Sequence, residues 1–515
     1  MNTITYRPAT QWLAKGSMLL ASLLVLAGCS LAPTYEVPGT PNPASFKEAP
    51  QGWTHTELKA EEAGAWQTAR PSEELARGEW WTIFGDSQLN ALEQQALEAN
   101  QNLAAAAARL KEARALVQAA RADWFPTLDA GFGPTRQQQS AASQFQPDGT
   151  SIPQQTLWRA QARASYEVDL FGRVASNVDA SKADAQQSEA LFRSVQLALQ
   201  ADVAQNYFAL RGLDAEAEVF ITTVRLREEA LKLVERRFAE GDISELDVSR
   251  ARAELATARS DAMTVQRLRA ASEHSLAVLL GKAPAEFSMA PTPLKAVDVR
   301  IPAGLPSSLL ERRPDVAAAE RAMAAANARI GIARAAFFPS LTLTGVGGFE
   351  SATLGDLFKW SSRAFLLGPL AGTALNIPLF DGGRRSANLE NARARHEEEV
   401  AKYRQQVLTA FREVEDSLSD LRILEGQTRT QADAVAAAGR AAEISRTQYT
   451  EGAVNYLDVI DAERTALQTR RSAVQLQSLQ AAATVNLIRA LGGGWDDIAR
   501  PSPDRDATQT PIAQR

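Results

Sequence analysis

Apolar and polar side chains alternate almost without interruption over residues 157–170, which predicts a β-strand. One face is wholly apolar, beginning with Trp158, and the other is polar or charged, beginning with Arg159. Such a strand is typical of a membrane-spanning sheet that separates lipid from water, and its 14 residues exceed the roughly 9–11 needed to cross. A strand of a soluble sandwich is the alternative. A second alternation over residues 127–132 favours the membrane strand.

Apolar positions spaced three and four residues apart predict helices around these strands. The first runs over about residues 87–122 and ends before Pro126. Longer helical stretches follow at 174–211, 214–280, 384–422 and 427–491. Alanine dominates their apolar positions, which permits close packing between helices. A continuous stretch as long as 214–280 would reach about 100 Å at about 1.5 Å per residue.

The chain repeats itself at an offset of 211 residues. Glu240-Gly241 matches Glu451-Gly452, and Leu246-Asp247-Val248 matches Leu457-Asp458-Val459. Two copies of one architecture predict pseudo-symmetry. The expected units are a first repeat at 87–281, a linker at 282–307 and a second repeat at 308–494. The second repeat is predicted to hold a helix at 310–336 and strands at 339–349 and about 366–380.

Glycines occur at matching places in the predicted long helices of both copies. Gly212 and Gly426 separate the predicted helical stretches, so the turns of the two helical hairpins are expected there. Gly241 and Gly452 are expected to kink or break the rods.

The N-terminus predicts a bacterial lipoprotein. Lys15 precedes a short apolar run that ends in Leu26-Ala27-Gly28-Cys29, which is typical of a secretory signal peptide over residues 1–28. Cys29 is then the lipidated first residue, and a chance cysteine behind an ordinary signal peptide is the alternative. Residues 29–86 are expected to form a lipidated extended arm, and residues 495–515 a disordered tail. No second cysteine is available for a disulfide.

Composition narrows the function. The 55 basic and 61 acidic residues give a net charge of −6 without a basic stripe, which does not favour a nucleic-acid partner. The three histidines are far apart and lack metal-ligand spacing, and no catalytic constellation is present. We therefore expect a protein that is not an enzyme and carries no cofactor beyond a covalent lipid on Cys29.

The strand count predicts an oligomer. Four strands per chain cannot close a barrel, and each unpaired backbone group at an open edge in lipid costs several kcal/mol. Three chains would give 12 strands, enough to enclose a lumen, but this argument does not fix the number three.

Several motifs in combination make the chain resemble the outer-membrane factor family, the TolC-like channels, and within it the lipidated OprM/NodT-like branch. They are Trp80-Trp81-Thr-Ile-Phe84-Gly-Asp86-Ser-Gln-Leu89, Glu311-Arg312-Arg313-Pro314-Asp315-Val316, Phe337-Phe338-Pro339 and the paired Glu-Gly…Leu-Asp-Val segments. The resemblance covers essentially the whole mature chain. It implies an α+β membrane protein, a homotrimer with a 12-stranded transmembrane β-barrel and a long α-helical periplasmic barrel.

The resemblance also implies partners and a location. The expected partners are a periplasmic adaptor (membrane fusion) protein, an inner-membrane pump and outer-membrane lipid. The expected function is the outer-membrane exit channel of a tripartite RND-type system that exports drugs or other small molecules from a Gram-negative cell. A type I protein-secretion duct and a non-conducting periplasmic structural lipoprotein are the alternatives.

Two aspartates are candidates for a periplasmic gate. Asp416 and Asp420 lie one helical turn apart, so they share a face. Rings of carboxylates in a closing pore would favour cations, and TolC-like channels close with aspartate rings. The first copy has Gln205 and Ala209 in these places. A solvated acidic face is the alternative.

Six residues near the predicted turns are candidates for adaptor docking. They are Leu210, Arg211, Leu213, Leu421, Arg422 and Leu424. Leucines repeated at an exposed tip would suit a partner helix hairpin. Packing within the hairpin itself is the alternative.

Overall fold

The computed structural model describes residues 31–39, 43, 46–48, 78–147, 149–295, 312–368 and 375–493. The predicted signal peptide, Cys29 and the predicted tail lie outside these residues. The helices are α1 (Ser87–Ala99), α2 (Gln101–Ala122), α3 (Arg173–Ala239), α4 (Glu245–Leu279), α5 (Pro314–Ala335), α6 (Arg384–Thr450) and α7 (Tyr456–Ala490). The strands are β1 (Thr127–Gln137), β2 (Gln155–Val168), β3 (Ser340–Ser351), β4 (Arg363–Gly368) and β5 (Leu375–Asn376).

In both copies helical sequence precedes a strand pair and long helices follow, as predicted. The helix predicted over about residues 87–122 is divided at Asn100 into α1 and α2, because Asn100 has an extended backbone conformation. The predicted turns at Gly212 and Gly426 are wrong, because α3 and α6 each continue through them for 67 residues. A single glycine costs a helix only about 1 kcal/mol. At Gly212 the missing side chain serves packing instead, since a Cβ there would lie 2.7 Å from Ser478 Oγ.

The chain turns at Gly241 and Gly452. Their φ angles are 84° and 79°, in the left-handed region that glycine adopts at little cost. The first turn joins α3 to α4 and the second joins α6 to α7. Asn455 begins α7 with a reciprocal capping box, in which its side chain accepts from the backbone and Asp458 accepts from the Asn455 amide.

The strands form one antiparallel sheet in the order β1-β2-β3-β4, and β5 also pairs with β3. The two copies meet at β2 and β3, where Trp158 lies opposite Ser351 and Val168 opposite Leu341. The predicted strand near 366–380 is interrupted: Gly368 lies opposite Thr344 and Leu375 opposite Leu341. Within the described sheet, β1 and β4 each have one edge without a partner strand.

The described residues form two compact units, and each contains parts of both predicted repeats. One unit comprises the described residues of Met1–Pro38, Leu110–Ser188 and Ala319–Tyr403, and it contains the sheet. The other comprises those of Gly39–Arg109, Glu189–Ala318 and Arg404–Arg515, and it contains both helical turns. None of the helices in the described ranges is both long and apolar enough to span a membrane.

Candidate functional site

The two faces of the sheet differ in chemistry. On one face the Arg159 Nε donates to Glu350 Oε2 at 2.7 Å, and Arg159 Nη2 donates to Gln137 Oε1 at 3.2 Å. The other face carries the Phe132 and Trp158 rings, whose centroids are 6.1 Å apart. A polar face and an apolar face on one sheet fit a boundary between water and lipid.

The length of the sheet fits a bilayer. All residues from Trp158 to Val168 pair with β3. At about 3.3 Å per residue the distance from Trp158 to Val168 is about 33 Å, and the hydrocarbon core is about 30 Å thick. Aromatic rings lie at both ends of this span. Phe132 contacts Trp158 at one end, and Phe171 stacks on Phe338 near the other, with centroids 4.8 Å apart.

The first residues of the arm lie along α5. Arg334 Nη1 donates to the Leu31 carbonyl oxygen at 3.3 Å, and Asn327 Nδ2 donates to the Pro33 carbonyl oxygen at 2.9 Å. Further along α5, the Tyr35 hydroxyl donates to the Glu320 carboxylate. Burial and this carboxylate hold the pKa of Tyr35 well above its usual range. The arm therefore begins beside the end of α5 that leads into β3.

The two helical turns lie side by side in the other unit. Arg237 of α3 donates from Nη1 to the Tyr449 carbonyl oxygen at 3.0 Å and from Nη2 to the Thr450 carbonyl oxygen at 2.7 Å. These are terminal carbonyls of α6, which have no partner within the helix. A hydrophobic cluster lies beneath the turns: Val234, Val248, Ala251, Tyr449, Tyr456, Val459 and Ile460. Its burial raises the pKa of Tyr456 well above the usual range.

Ion pairs farther from the turns also join the helices of the two hairpins. Arg227 of α3 donates from Nη1 to the Glu254 carbonyl oxygen and pairs with the Glu254 carboxylate of α4 at 3.0 Å. Arg464 of α7 pairs with the same carboxylate. Arg446 of α6 donates from Nη2 to Glu463 of α7 at 2.7 Å. The two hairpins are therefore joined into a four-helix assembly close to their turns.

Each turn presents one exposed leucine at the same repeat position. Leu246 is 56% exposed and Leu457 is 43% exposed, whereas Val248 and Val459, two residues later, are buried in the cluster. We call residues 240–246 and 451–457 the hairpin-turn surface. The repeated Leu-Asp-Val segments could have revealed it, because they directly follow the left-handed glycines.

The six predicted docking residues do not lie at a turn. Leu210 is 0% and Arg211 is 3% exposed, and about 28 residues of α3, or about 40 Å, separate Arg211 from the turn. The other four lie in the middle of α3 or α6: Leu213, Leu421, Arg422 and Leu424. The placement of the predicted docking tip is wrong because α3 and α6 continue past Gly212 and Gly426.

Arg211 instead belongs to a buried ion network that holds the start of the linker. It pairs with Asp214 at 2.8 Å, and Asp214 also pairs with Arg269 at 2.6 Å. Arg211 Nη1 donates to the Ala290 carbonyl oxygen, and Asp214 accepts from the Thr292 amide. Each buried charge therefore has a partner and also fixes the linker backbone.

The matching arginine of the second copy holds the arm. Arg422 Nη2 pairs with Glu48 at 2.7 Å. The Glu415 carboxylate accepts from the backbone amides of Lys47 and Glu48, at 2.8 Å and 3.0 Å. The two copies thus use equivalent arginines to hold different irregular segments of the chain.

The two candidate gate aspartates share a helix face, as predicted, but lie far from the turn. Both are exposed on α6, and Asp416 Oδ2 is 3.9 Å from Arg412 Nε. Asp420 lies 30 residues before Thr450, the last residue of α6, which is about 45 Å along a helix. Their expected position just before a turn is therefore wrong, and their role in gating stays a prediction.

Within the described ranges, no group of three His, Cys, Asp or Glu side chains is arranged to hold a metal ion.

Comparison with known proteins agrees with this architecture. The family model described as "Outer membrane efflux protein" matches residues 92–282 and 305–493. The cation efflux system protein CusC of Escherichia coli is 34% identical over 476 residues, covering 92% of this chain and 97% of that protein. The probable efflux pump outer membrane protein TtgC of Pseudomonas putida is 35% identical over 497 residues, covering 96% and 98%.

A solved structure has the same fold. The outer-membrane channel OprN matches with a TM-score of 0.80 and 29% identity, covering 91% of this chain and all of that one (100%). The chain therefore belongs to the outer membrane efflux protein family and is an outer-membrane channel of an efflux system that extends into the periplasm.

Proposed function

We propose that this chain is the exit duct of a tripartite RND-type efflux system and exports drugs or other small molecules. The observation that carries the proposal is a sheet of bilayer length, polar on one face and apolar on the other, in the same chain as two 67-residue helices. Such a chain has the parts for a pore through the membrane and a conduit through the periplasm. Relatives named as a cation efflux protein and an efflux pump outer membrane protein support this function.

The working form in this proposal is a homotrimer. Each chain contributes strands β1 to β4, with β5 extending the fourth, so three chains supply a barrel of 12 strands. The free edge of β1 would pair with the free edge of β4 in the next chain, which satisfies backbone groups that lipid cannot. The long helices of the three chains would form the periplasmic barrel.

A periplasmic adaptor would dock on the hairpin-turn surface, and an inner-membrane pump would complete the system. Leu246 and Leu457 support this assignment, because exposed leucines at matched turns suit the apolar face of a partner helix hairpin. Arginine contacts hold the two turns together, so the hairpin-turn surface is already formed in the chain without a bound partner.

The gate is assigned to Asp416 and Asp420. Both carboxylates are exposed in the single chain, and threefold symmetry would arrange each as a ring of three. Such rings would favour cations if α6 lines the lumen at this level. The gate would then lie well above the hairpin turns and not at them.

Cys29 is proposed to carry the lipid. Leu31 lies beside the end of α5 that leads into β3, and two residues extend at most about 7 Å. An acyl group on Cys29 would therefore start near the membrane-spanning sheet. Mass spectrometry of the purified chain should find a diacylated or triacylated residue 29, and an unmodified Cys29 would contradict the assignment.

Single-channel recording of purified protein in planar bilayers tests the function. We expect a low conductance that rises when Asp416 and Asp420 are both replaced by alanine. The reversal potential of this variant should also shift in the direction that indicates lower cation selectivity. Glu425→Ala is the matched control, because Glu425 is an exposed acidic residue of the same helix. No conductance in any variant would support the structural lipoprotein instead.

Cell assays distinguish an efflux duct from a type I protein-secretion duct. Deleting the gene should sensitise the cell to small toxic compounds while leaving the secreted proteins unchanged. The loss of one secreted protein without a change in susceptibility would support the type I secretion duct. Native mass spectrometry of the detergent-solubilised protein should give the mass of three chains.

A further inference from the structure

Residues 352–362 form the loop between β3 and β4, and contacts among these residues give the loop a defined structure. The Asp356 carboxylate accepts from the Thr353 hydroxyl at 2.8 Å and pairs with Lys359 Nζ at 2.5 Å. The Ser362 hydroxyl donates to the Asp356 carbonyl oxygen at 2.7 Å, and Leu357 is completely buried. These contacts hold the loop, which we call the β3–β4 loop, in one conformation.

This loop bends onto the apolar side of the sheet. The Phe358 ring lies edge-on to the Phe349 ring of β3, with centroids 5.6 Å apart. Glu350, the next residue of β3, pairs with Arg159 on the polar face, and successive strand side chains point to opposite faces. Phe349 therefore lies on the apolar face, and Phe358 extends that face beyond the strand.

The loop exposes large apolar side chains, which is unfavourable for a loop that faces water. Leu354 is 51%, Phe358 is 69% and Trp360 is 76% exposed. The Arg363 guanidinium lies over the Trp360 ring, 2.9 Å from its centroid, and Arg363 Nε donates to the Trp360 carbonyl oxygen. The loop thus combines an indole, two apolar side chains and a neighbouring cation.

The loop between β1 and β2 provides a contrast at the same end of the sheet. Residues 138–154 are mostly Gln, Ser, Ala, Pro and Gly. Its exposed Phe145 is the single aromatic residue of this segment. Among the described residues of these two loops, the β3–β4 loop is the one that has a ring contact with the apolar face of a strand, at Phe349.

We propose that the β3–β4 loop inserts Leu354, Phe358 and Trp360 into the head-group region of the outer leaflet, so that its partner is a lipid surface. The inference rests on the proposed function, because it requires the sheet to span the membrane. Indole rings favour the membrane–water interface, and the cations of Lys359 and Arg363 suit phosphate-bearing head groups. The loop then fixes the depth of the barrel rim in the bilayer.

Fluorescence quenching by lipid tests this placement. Trp360→Cys trimers are labelled with an environment-sensitive fluorophore and placed in phosphatidylcholine–phosphatidylglycerol vesicles with or without head-group spin-labelled phosphatidylcholine. Leu354→Cys provides a second position that leaves the Arg363–Trp360 contact intact, and Phe145→Cys is the matched loop control. Labelled wild-type protein measures any background from Cys29.

Each outcome decides the inference. We expect several-fold stronger quenching at positions 360 and 354 than at position 145. Equal, weak quenching at all three loop positions would overturn it. A blue-shifted emission without lipid quenching at 360 would mean that a neighbouring chain covers the loop, which also overturns it.

A fluorophore on strand β4 distinguishes a failure of the loop inference from a failure of the proposed function. Phe365 of β4 is 80% exposed and lies opposite Gly347, on the same face as Phe349. Quenching at Phe365→Cys by lipid spin-labelled along the acyl chain shows that the sheet lies in the bilayer. If position 365 is quenched and the loop is not, only the loop inference fails. If position 365 is also unquenched, the membrane-spanning sheet fails.

Discussion

The Arg237 guanidinium covers the C-terminal end of α6 at Tyr449. It donates to the Tyr449 carbonyl oxygen at 3.0 Å and lies 4.8 Å from the centroid of the Tyr449 ring. One side chain of the first repeat therefore caps a helix of the second and binds its aromatic ring. The two hairpin turns are held together at the place where we expect the adaptor to bind.

Removing this contact should loosen the second turn. Arg237→Met loses hydrogen bonds from a charged donor to helix-terminal carbonyls, and such bonds contribute about 1.5–3 kcal/mol when well buried and less here, where the site is partly exposed. We expect amide hydrogen exchange in residues 449–456 to become about tenfold faster, since about 1.4 kcal/mol corresponds to a factor of ten. Arg236→Met is the control, because the Arg236 guanidinium donates to the Lys232 carbonyl oxygen of its own helix. Equal acceleration in both variants would contradict the role of Arg237.

The exposed leucines of the hairpin-turn surface should matter for partner binding and not for assembly. The double variant Leu246→Ser, Leu457→Ser removes two apolar contacts of about 1–2 kcal/mol each, so adaptor affinity should fall at least about tenfold. The trimer mass and thermal stability should not change, because both side chains are exposed in the chain.

Met263→Ser is the matched control for this surface. Met263 is exposed on α4 but lies about 20 residues from the turn, or about 30 Å along the helix. Surface plasmon resonance with the cognate periplasmic adaptor measures the affinities. An unchanged affinity in the double variant would exclude the leucines from the docking surface.

The two equivalent arginines should differ in their contribution to stability. Arg211→Met leaves the buried Asp214 with one cation less and frees the Ala290 carbonyl oxygen. Breaking a buried pair costs up to about 3–5 kcal/mol when the remaining charge has no partner, and less here because Arg269 still pairs with Asp214. Arg422→Met removes an exposed pair with Glu48, which contributes little because solvent screens it. Denaturant unfolding monitored by circular dichroism should therefore separate the two variants clearly. Similar midpoints would contradict the assigned burial of the network.

Buried Glu93 should make the protein less stable as the pH rises. Its carboxylate lies on α1 and is 0% exposed, and neither oxygen has a hydrogen-bond partner among the described residues. Burial raises the pKa of Glu93 to about 9. The folded state therefore holds a proton that the unfolded chain releases near the ordinary carboxyl pKa of 4.5.

The sign of this effect follows from the proton count. Folding keeps the Glu93 carboxyl neutral. The contribution of this bound proton to the stability of the folded state is fully present below pH 4.5 and is lost as the pH rises towards about 9. Stability should fall by at most about 1.4 kcal/mol per pH unit in this window. Glu93→Gln should remove the slope and Glu93→Met should stabilise the protein at pH 8, as measured by thermal unfolding across pH. Glu98→Gln, an exposed position of the same helix, should leave the slope intact.

Sequence reasoning located most elements but not the hairpin turns. The alternation from Trp158 onward predicted β2, and the repeat predicted that each copy would hold a strand pair and long helices. The predicted docking residues lie beside Gly212 and Gly426, which are inside helices, so Leu210 and Arg211 are buried. The exposed Leu246 and Leu457 beside the observed turns are not among the predicted residues. The gate aspartates share a face as predicted, since helix periodicity is local, but their distance from the turn depends on where the helix ends.

The periodicities, the repeat and the family can be read from the amino-acid sequence, because each depends on neighbouring residues or on direct matching of residue types. Which glycines turn the chain depends on tertiary contacts and backbone conformation. At Gly212 a Cβ would lie 2.7 Å from Ser478 Oγ on another helix, so the glycine allows two helices to approach. At Gly241 a φ of 84° ends the helix. Both positions are single glycines within helical sequence, and the contact that distinguishes Gly212 comes from Ser478, more than 200 positions away.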